Sequence, residues 1–248
     1  MIIKNTNELE VLKKSGAICK KVLEEGINEV KPGVSTYFID SYLERRIKEL
    51  GGTPSFLGYD AGGGPYPFSS CISINHQLVH TLPSKNVLVK KGDLVTIDVG
   101  VVYKGINTDT AYTVEVNSKK QTFFLNTGKK ALKKAVNQAI VGNKIGDISF
   151  FMEDTALKAG FNVSYDLVGH GIGYKLHEPP QIPCYGRKHS GERLNENQVL
   201  AIEIMYMQGE NTLALGKDGF SFDTKDKSLS AQFEHTVVVS KNKPIIIV

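Results

Sequence analysis

The first third of the chain carries apolar residues at the spacing of an α-helix, in two stretches separated by a break. Apolar positions three or four residues apart place one face of each helix in a core. Asn5 to Asn7 can cap the first helix, and Lys31-Pro32-Gly33 ends it. Ser35 can cap the second, and Gly51-Gly52 ends it. The predicted buried positions are Leu9, Leu12, Cys19, Val22 and Leu23, then Phe38, Ile39, Tyr42, Leu43, Ile47 and Leu50.

The pattern changes at residues 59–67, where YDAGGGPYP indicates a loop. The second half then repeats the order of helices followed by strands, which hints at two similar halves. No linker-like composition separates the halves, so we expect one catalytic domain of mixed α and β structure spanning residues 1–248. The predicted β runs are 71–74, 77–80, 94–116, 163–168, 199–207 and 231–239, and the later helices are 121–140 and 147–159.

The run LVTIDVGVVYKGINTDTAYTVEV at 94–116 carries two aspartates among apolar residues, and a buried carboxylate needs a compensating partner. Lys104-Gly105 is predicted to form a two-residue hairpin turn, which would pair Gly100 with Asp109 and Asp98 with Ala111. The two carboxylates then share a face as diagonal neighbours, roughly 7–8 Å apart at the backbone. Gly100 is expected to leave the space between them empty for a divalent cation. Taken alone, Asp109 could be a turn or cap residue rather than a metal ligand. A different turn register would move one of the two aspartates to the other face of the sheet.

Two glutamates and one histidine have equally unusual surroundings. Glu203 lies in LAIEIMYM and Glu234 in SAQFEHTVVV, without a base at helical spacing, and His170 lies between glycines in GHGIG. Four carboxylates in one pocket would repel, at roughly 3 kcal/mol for a pair about 5 Å apart in an effective dielectric of about 20. Two divalent ions would cancel the four charges and leave a neutral imidazole as fifth ligand. Oxygen-rich ligation without thiolate suits Mn, Fe, Co or Zn.

Other catalytic motifs do not fit this chain. The segment HEPP after Leu176 is not the HExxH motif, because Pro179 and Pro180 forbid the helix that this motif requires. GHGIG lacks the spacing of a GxGxxG phosphate loop, and no GxSxG nucleophile elbow is present. These observations favour metal-assisted hydrolysis over phosphate binding or serine catalysis.

Composition narrows the possible partners. The net charge of +4, from 30 basic and 26 acidic residues, is too small to indicate a nucleic-acid-binding surface. The N-terminal residues lack the apolar region of an export signal, and no stretch approaches the roughly 18 apolar residues of a membrane span. The three cysteines are odd in number and form no CxxC pair, which favours a reducing cytoplasm.

Together these residues resemble the type I methionine aminopeptidases, over nearly the whole length of the chain. The resemblance rests on five candidate ligands in one order, each in a matching context. Further matching segments are KPGVST (31–36), CISIN (71–75), KKGDLVTIDV (90–99) and KDGFSFDTKDKSLSAQFEHT (217–236). The family implies the pita-bread fold, an α/β (α+β) architecture with pseudo-two-fold halves and a curved antiparallel sheet whose outer face is covered by helices.

The resemblance also implies how two divalent metal ions are bound. Asp109 and Glu234 would bridge the ions, and Asp98 would chelate one of them. His170 and Glu203 would complete the other. Glu203 would in addition carry a proton from the attacking water to the leaving amine.

Substrate contacts follow from the same resemblance. His80 matches the histidine near the scissile amide, and His177 matches the one that hydrogen-bonds the substrate carbonyl. His76, His189 and His235 are expected to be structural, with His235 pointing away from the side that carries Glu234. An apolar, polarisable pocket suits the thioether of methionine. The matching pocket positions are Tyr66, Cys71 and Phe220, with Tyr59 and Leu176 as further candidates.

The chain departs from the family pattern at five places that affect rate and selectivity but remove no ligand. The loop 59–67 is longer than usual, which shifts the register of Tyr59. Leu176 and Phe220 replace larger or aromatic groups. Asn107-Thr108 stands where His-Gly is common, and Ile204 stands where a proline usually follows the glutamate.

The expected activity is removal of the initiator methionine from nascent polypeptides by a cytoplasmic monomer, with a preference for small second residues. Docking at the ribosome is left open by the sequence. Xaa-Pro aminopeptidases and proline dipeptidases of the same fold share the ligand set and are the first alternative. A catalytically silent pita-bread binding module is the second, although such modules typically lose ligands and this chain has all five.

Overall fold

The computed structural model describes residues 1–248, in which two helices followed by strands occur twice along the chain. The helices are α1 (Thr6–Glu29), α2 (Thr36–Glu49), α3 (Thr122–Val136) and α4 (Ile145–Lys158). The strands of the first half are β1 (Thr53–Pro54), β2 (Ser70–Ile74), β3 (Gln77–Val79), β4 (Leu94–Tyr103) and β5 (Ile106–Glu115). Those of the second half are β6 (Asn162–Val163), β7 (Val168–Gly171), β8 (Glu178–Pro183), β9 (Val199–Met207), β10 (Leu213–Leu215), β11 (Phe222–Thr224), β12 (Ser230–Val238) and β13 (Ile245–Ile246).

The helix starts follow from local capping. The Asn5 side chain accepts a hydrogen bond from the Glu8 amide (3.0 Å), and the Ser35 hydroxyl accepts one from the Phe38 amide (3.2 Å), as predicted. The prediction for α4 was two residues late, because the Asp147 carboxylate accepts a hydrogen bond from the Lys144 amide (2.8 Å) and caps an earlier start. None of the helices has the length and apolar character needed to cross a membrane.

Two predicted elements were too long. Helix α3 ends at Val136 rather than at 140, because the amides of Gln138 and Ala139 turn back to carbonyls three residues earlier. The predicted strand 163–168 is two separate strands, β6 and β7. The Ser164 hydroxyl accepts hydrogen bonds from the Asp166 and Leu167 amides (3.3 and 3.2 Å), and this local bonding turns the chain between them.

The hairpin of β4 and β5 has the predicted register, with Gly100 opposite Asp109 and Asp98 opposite Ala111. Its turn residues Lys104 and Gly105 both have positive φ angles (48° and 78°), as a two-residue type I′ turn requires. The hairpin therefore presents both aspartates on the same face of the sheet.

Two sheets meet at the centre of the molecule. One has the order β1-β4-β2 with β5 paired to β4, and the other has the order β13-β12-β9-β7-β8 with β6 paired to β9. Threonine hydroxyls link β5 to β12: Thr113 and Thr110 donate to the carbonyls of Gln232 (2.8 Å) and Glu234 (2.9 Å). In the other direction, the Thr236 hydroxyl of β12 donates a hydrogen bond to the Asp109 carbonyl of β5 (2.7 Å). A third, three-stranded sheet has the order β10-β11-β3.

The helices cover the face of each sheet that carries the apolar residues. On β4 the alternate residues Ile97, Val99 and Val101 pack in one core cluster with residues of α1 and α2. On β9, Ile202 and Ile204 pack in a second cluster with residues of α3 and α4. Because strand side chains alternate, the residues between them face the other way, towards the centre of the molecule. The structure thus has the predicted α/β class, with antiparallel sheets and helices against one face.

Candidate metal centre and substrate cavity

All the residues predicted from the sequence to form the site line one cavity of about 970 Å³. A cavity of this size is at the upper end of small-ligand sites, so it has room for more than one amino-acid residue. It is lined by both halves of the chain. The predicted residues found there are Tyr59, Tyr66, Cys71, His80, Asp98, Asp109, His170, Leu176, His177, Glu203, Phe220 and Glu234.

Each half supplies two of the carboxylates from one antiparallel strand pair. The hairpin of the first half carries Asp98 and Asp109, and in the second half Glu203 of β9 lies directly opposite Glu234 of β12. All four are buried, with at most 6% of their surface exposed. Like charges directly opposite each other in a sheet are destabilising, so this arrangement requires a compensating charge.

The donor atoms fit a divalent cation. Ligand atoms of Asp109, His170 and Glu234 lie within 4.8 Å of one another. The Nδ1 atom of His170 is 2.9 Å from the Gly171 carbonyl oxygen, so it carries the proton and leaves the Nε2 lone pair free. The Oδ1 atom of Asp98 and the Oε1 atom of Glu234 are buried without a hydrogen-bond partner. Oxygen atoms with free lone pairs, together with one imidazole nitrogen, are ligands for Mn, Fe, Co or Zn.

Protonation equilibria reflect the crowding of these groups. Burial and the charges of the neighbouring carboxylates raise the pKa of Asp98 and Glu234 far above their usual values. Burial raises the pKa of Asp109 to about 7, and burial with repulsion from Asp109 raises that of Glu203 to about 8. Burial lowers the pKa of His170 to about 3. The carboxylates therefore resist full ionisation unless cations are bound, while the histidine stays neutral and able to bind them.

Sequence reasoning missed Gln232. Its Nε2 atom donates to the carboxylates of Glu203 (2.9 Å) and Asp98 (3.4 Å), and thus links the two halves of the site. The signal was available, because Gln232 precedes Glu234 by two residues on a strand and must share its face.

The expectation that Gly100 leaves an empty space was wrong. A Cβ atom at this position would lie 2.8 Å from the Cε1 atom of Phe56 and 2.9 Å from the Cβ atom of Ser55. The short strand β1 pairs with β4, with Pro54 opposite Val101, and brings these residues over the glycine. Phe56 also lines the cavity, and no local pattern in the sequence indicates this contact.

Two further histidines stand on the walls of the cavity. His80 lies just after β3 in a left-handed conformation (φ 56°), with its ring edge-on to Phe222 at 5.9 Å between centroids. His177 packs between His170 and Tyr59, with ring centroids 4.3 and 5.0 Å away. Burial lowers the pKa of His80 to about 4, and burial also lowers the pKa of His177. Both are therefore neutral hydrogen-bonding groups near pH 7.

The apolar part of the wall is built around Tyr66. Its ring lies edge-on to Phe220, with 5.6 Å between centroids. Its hydroxyl is 3.1 Å from each of the carbonyl oxygens of Ser70 and Thr81 and donates to them. Cys71 is buried next to these groups, and burial raises the pKa of its thiol. This corner is apolar and polarisable, with its one phenol satisfied internally.

The three remaining histidines lie outside the cavity, as predicted. His76 is 3.3 Å from an Asp223 carboxylate oxygen, and His189 is 3.4 Å from one of Asp147. His235 is largely buried and follows Glu234 on β12, so its side chain points to the opposite face.

A family model described as metallopeptidase family M24 matches residues 10–241. The chain belongs to metallopeptidase family M24. A methionine aminopeptidase of Aquifex aeolicus is 38% identical over 248 residues, which covers 97% of this chain and 95% of that protein. The crystal structure of methionine aminopeptidase from Thermotoga maritima, at 36% identity, superposes with a TM-score of 0.93 and covers 100% of this chain and 99% of that one. The predicted family and the predicted pita-bread fold are both confirmed.

The pita-bread fold of this M24 chain is shared more widely. The prolidase from Pyrococcus furiosus is 24% identical with a TM-score of 0.77, and the match covers 99% of this chain and 65% of that one. This match shows the fold alone. Membership of a metallopeptidase family agrees with the donor set described above and implies a divalent metal cofactor.

Proposed function

We infer that this protein is a metal-dependent methionine aminopeptidase, which hydrolyses the peptide bond after an N-terminal methionine. The observation that carries this conclusion is the convergence of four buried carboxylates and His170 in one cavity. Full-length similarity to methionine aminopeptidases supports the substrate. In the detailed form proposed here, the whole chain 1–248 is one catalytic domain that acts as a monomer in the cytoplasm.

The four carboxylates and His170 would hold two divalent ions, either Mn, Fe, Co or Zn. Asp109 and Glu234 come from different halves and lie next to His170, which supports the proposal that these two carboxylates would be shared by both ions. Asp98 would be a further ligand of one ion, and Glu203 and His170 would be further ligands of the other. When bound, such a pair lowers the pKa of a water molecule and polarises the scissile carbonyl.

Glu203 is the proton carrier of the reaction. It is buried, its pKa is raised, and Gln232 holds one of its oxygens through a 2.9 Å hydrogen bond. A carboxyl poised near neutrality can accept a proton from the attacking water and then deliver it to the nitrogen of the leaving amine. Because Gln232 fixes the Oε2 atom, the carboxyl is presented in one orientation.

The two wall histidines orient the substrate. His80 and His177 are neutral near pH 7, so each can donate one N–H to a substrate oxygen or accept from the amide N–H. The ring of His177 packs against that of His170, with 4.3 Å between centroids, and this supports a role for His177 beside the carbonyl that would be attacked. A donor at this position stabilises the negative charge that develops on the carbonyl oxygen.

The apolar corner of Tyr66, Cys71 and Phe220 receives the methionine side chain, with Tyr59 and Leu176 next to it. The physiological substrates are nascent chains with a small second residue. The small net charge of +4 supports a function without specific nucleic-acid or membrane binding, and N-terminal methionine peptides and nascent chains are the proposed partners.

A peptide panel tests the assignment. The purified protein, supplied with Mn or Co, is incubated with Met-Ala-Ser, with Leu-Pro and with an Xaa-Pro tripeptide, and the released amino acid is quantified. Release of methionine from Met-Ala-Ser is the expected result. Cleavage of the proline peptides alone would assign the chain to the proline-specific enzymes of the same fold. Inactivity towards every peptide would favour a silent binding module.

Asp109→Asn is the matched inactive variant. It removes one bridging charge but keeps the size of the side chain, so turnover should be almost abolished and metal binding weakened while the fold is retained. Metal titration by calorimetry and circular dichroism provide the two readouts. A metal-replete, active variant would contradict the proposed role of Asp109.

A further inference from the structure

Asp40 is a buried carboxylate that the proposed mechanism does not use. It lies on the inner face of α2, with 2% of its surface exposed, in a helix whose other buried residues include Ile39 and Leu43. It does not line the cavity. Placing a carboxylate among apolar side chains is unfavourable, and burial raises the pKa of Asp40 to about 6. Such a group requires specific partners in the fold.

Its partners lie on the segment that leads into the cavity wall. The Oδ1 atom of Asp40 accepts hydrogen bonds from the amide of Ser69 (3.0 Å), the amide of Ser70 (2.9 Å) and the hydroxyl of Ser70 (2.8 Å). Hydrogen bonds to a charged acceptor are about twice as strong as those between neutral groups. One carboxylate oxygen thus fixes both the backbone and the side chain at the start of β2.

The segment that Asp40 fixes also contacts the methionine pocket, the apolar corner formed by Tyr66, Cys71 and Phe220. Ser70 precedes Cys71, and its carbonyl oxygen accepts from the hydroxyl of Tyr66 at 3.1 Å. The same hydroxyl is 3.1 Å from the carbonyl of Thr81, the residue after His80. Two pocket residues are therefore held by the one segment that Asp40 fixes to α2.

We propose that Asp40 is a positioning residue for the methionine pocket, which holds Tyr66 and Cys71 in the geometry that distinguishes methionine from other apolar N-terminal residues. This inference rests on the proposed function, because it concerns the selectivity of that reaction. Asp40 touches neither the substrate nor the metal ligands and acts only through Ser69 and Ser70.

Loss of the Asp40 side chain should impair substrate recognition and leave metal binding intact. In Asp40→Ala the two amides at the start of β2 lose their acceptor, and the wall that carries Tyr66 can shift. We expect KM for Met-Ala-Ser to rise about tenfold, the discrimination that a misfit of one methylene group produces in an apolar pocket. The ratio of kcat/KM for Met-Ala-Ser to that for Leu-Ala-Ser should fall by a similar factor. Metal content should be unchanged, because the ligands lie on other strands.

Three further variants make the experiment specific. Asp40→Asn keeps a side-chain oxygen for the same amides and should restore most of the selectivity. Ser70→Ala removes one of the three hydrogen bonds and should shift KM in the same direction by less; it serves if Asp40→Ala does not fold. Asp154→Ala is the matched control, because it removes an aspartate from another helix, α4, where the side chain pairs with Lys158. This variant should behave as the wild type.

The measurements are KM, kcat, the Met/Leu ratio, metal content and the melting temperature of each variant. A purely structural role for Asp40 would lower the melting temperature and the active fraction with KM and the Met/Leu ratio unchanged, and would overturn the proposal. Unchanged kinetics of Asp40→Ala would overturn it as well. Failure of the wild type to release methionine is a different result, which refutes the proposed function and with it the basis for this inference.

Discussion

Metal-free protein should lose stability as the pH rises from about 7 to about 8.5, and bound divalent metal should remove most of this loss. The folded state raises the pKa of Asp109 from 3.8 to about 7 and that of Glu203 from 4.5 to about 8. An acid whose pKa is raised by folding binds its proton more tightly in the folded state. Stability is therefore lost as the pH rises through the range between the unfolded and folded values.

The size of the effect follows from these two values. Between about pH 7 and about pH 8.5, Glu203 and Asp109 together account for roughly 1–2 kcal/mol of lost stability, because each tenfold change in proton affinity is worth about 1.4 kcal/mol. For a chain of this length, this loss corresponds to a fall of about 2–8 °C in melting temperature. Asp98 and Glu234, whose pKa values are raised further, add to it. The buried histidines change stability mainly below about pH 7, which is why the series starts there.

Circular dichroism melts of chelated protein and of Mn-loaded protein, recorded under anaerobic conditions at both pH values, measure the effect. Asp109→Asn should reduce the pH dependence of the chelated protein, and Asp154→Asn, which alters a carboxylate paired with Lys158 at the surface, should leave it unchanged. A melting temperature that stays constant or rises with pH in the chelated protein would refute the view that the four carboxylates repel one another. So would an equal fall in the metal-loaded protein.

Three other substitutions test separate parts of the site. His80→Ala should lower kcat on Met-Ala-Ser by about 10²–10⁴ with metal content unchanged, and equal losses of both would show that His80 supports the metal centre instead. Gln232→Leu deprives two carboxylates of their shared donor and should weaken metal binding about 10- to 100-fold, measured by calorimetric titration; an unaltered affinity would remove Gln232 from the site. Gly100→Ala would bring a methyl group to 2.8 Å from the Phe56 ring and should lower the free energy of unfolding by about 1–3 kcal/mol in urea. A neutral result would mean that the space beside Gly100 is open after all.

The sequence correctly predicted helix caps and the hairpin turn, which depend on residues close together in the chain. The caps at Asn5 and Ser35 and the turn at Lys104-Gly105 occur where the sequence placed them, because each depends on bonds within a few residues. The register of the hairpin followed from that turn, and with it the shared face of Asp98 and Asp109. The errors concern the ends of elements, such as α3 and the divided strand 163–168, where side chains compete with the backbone for the same hydrogen bonds.

The ligand set was predicted in a different way. Charged residues inside apolar strands are anomalous in any sequence, and their order along the chain resembles one family closely. Gln232 carried no such anomaly, because a neutral amide in a strand attracts no attention, although its spacing from Glu234 placed it on the same face. Its two hydrogen bonds depend on the tertiary structure, which brings Asp98 of β4 and Glu203 of β9 within reach of its amide.

By itself, the sequence determined the class of fold, the faces of the central strands and the expectation of a divalent metal cofactor. These depend on periodicity, turn conformation and ligand chemistry, which act over short distances along the chain. The tertiary structure decided which groups fill the space beside Gly100, how Gln232 joins the two halves and how Asp40 reaches the pocket through Ser70. Each of these contacts joins residues far apart in the chain, and it is the packing of the two sheets and their helices that brings them within bonding distance.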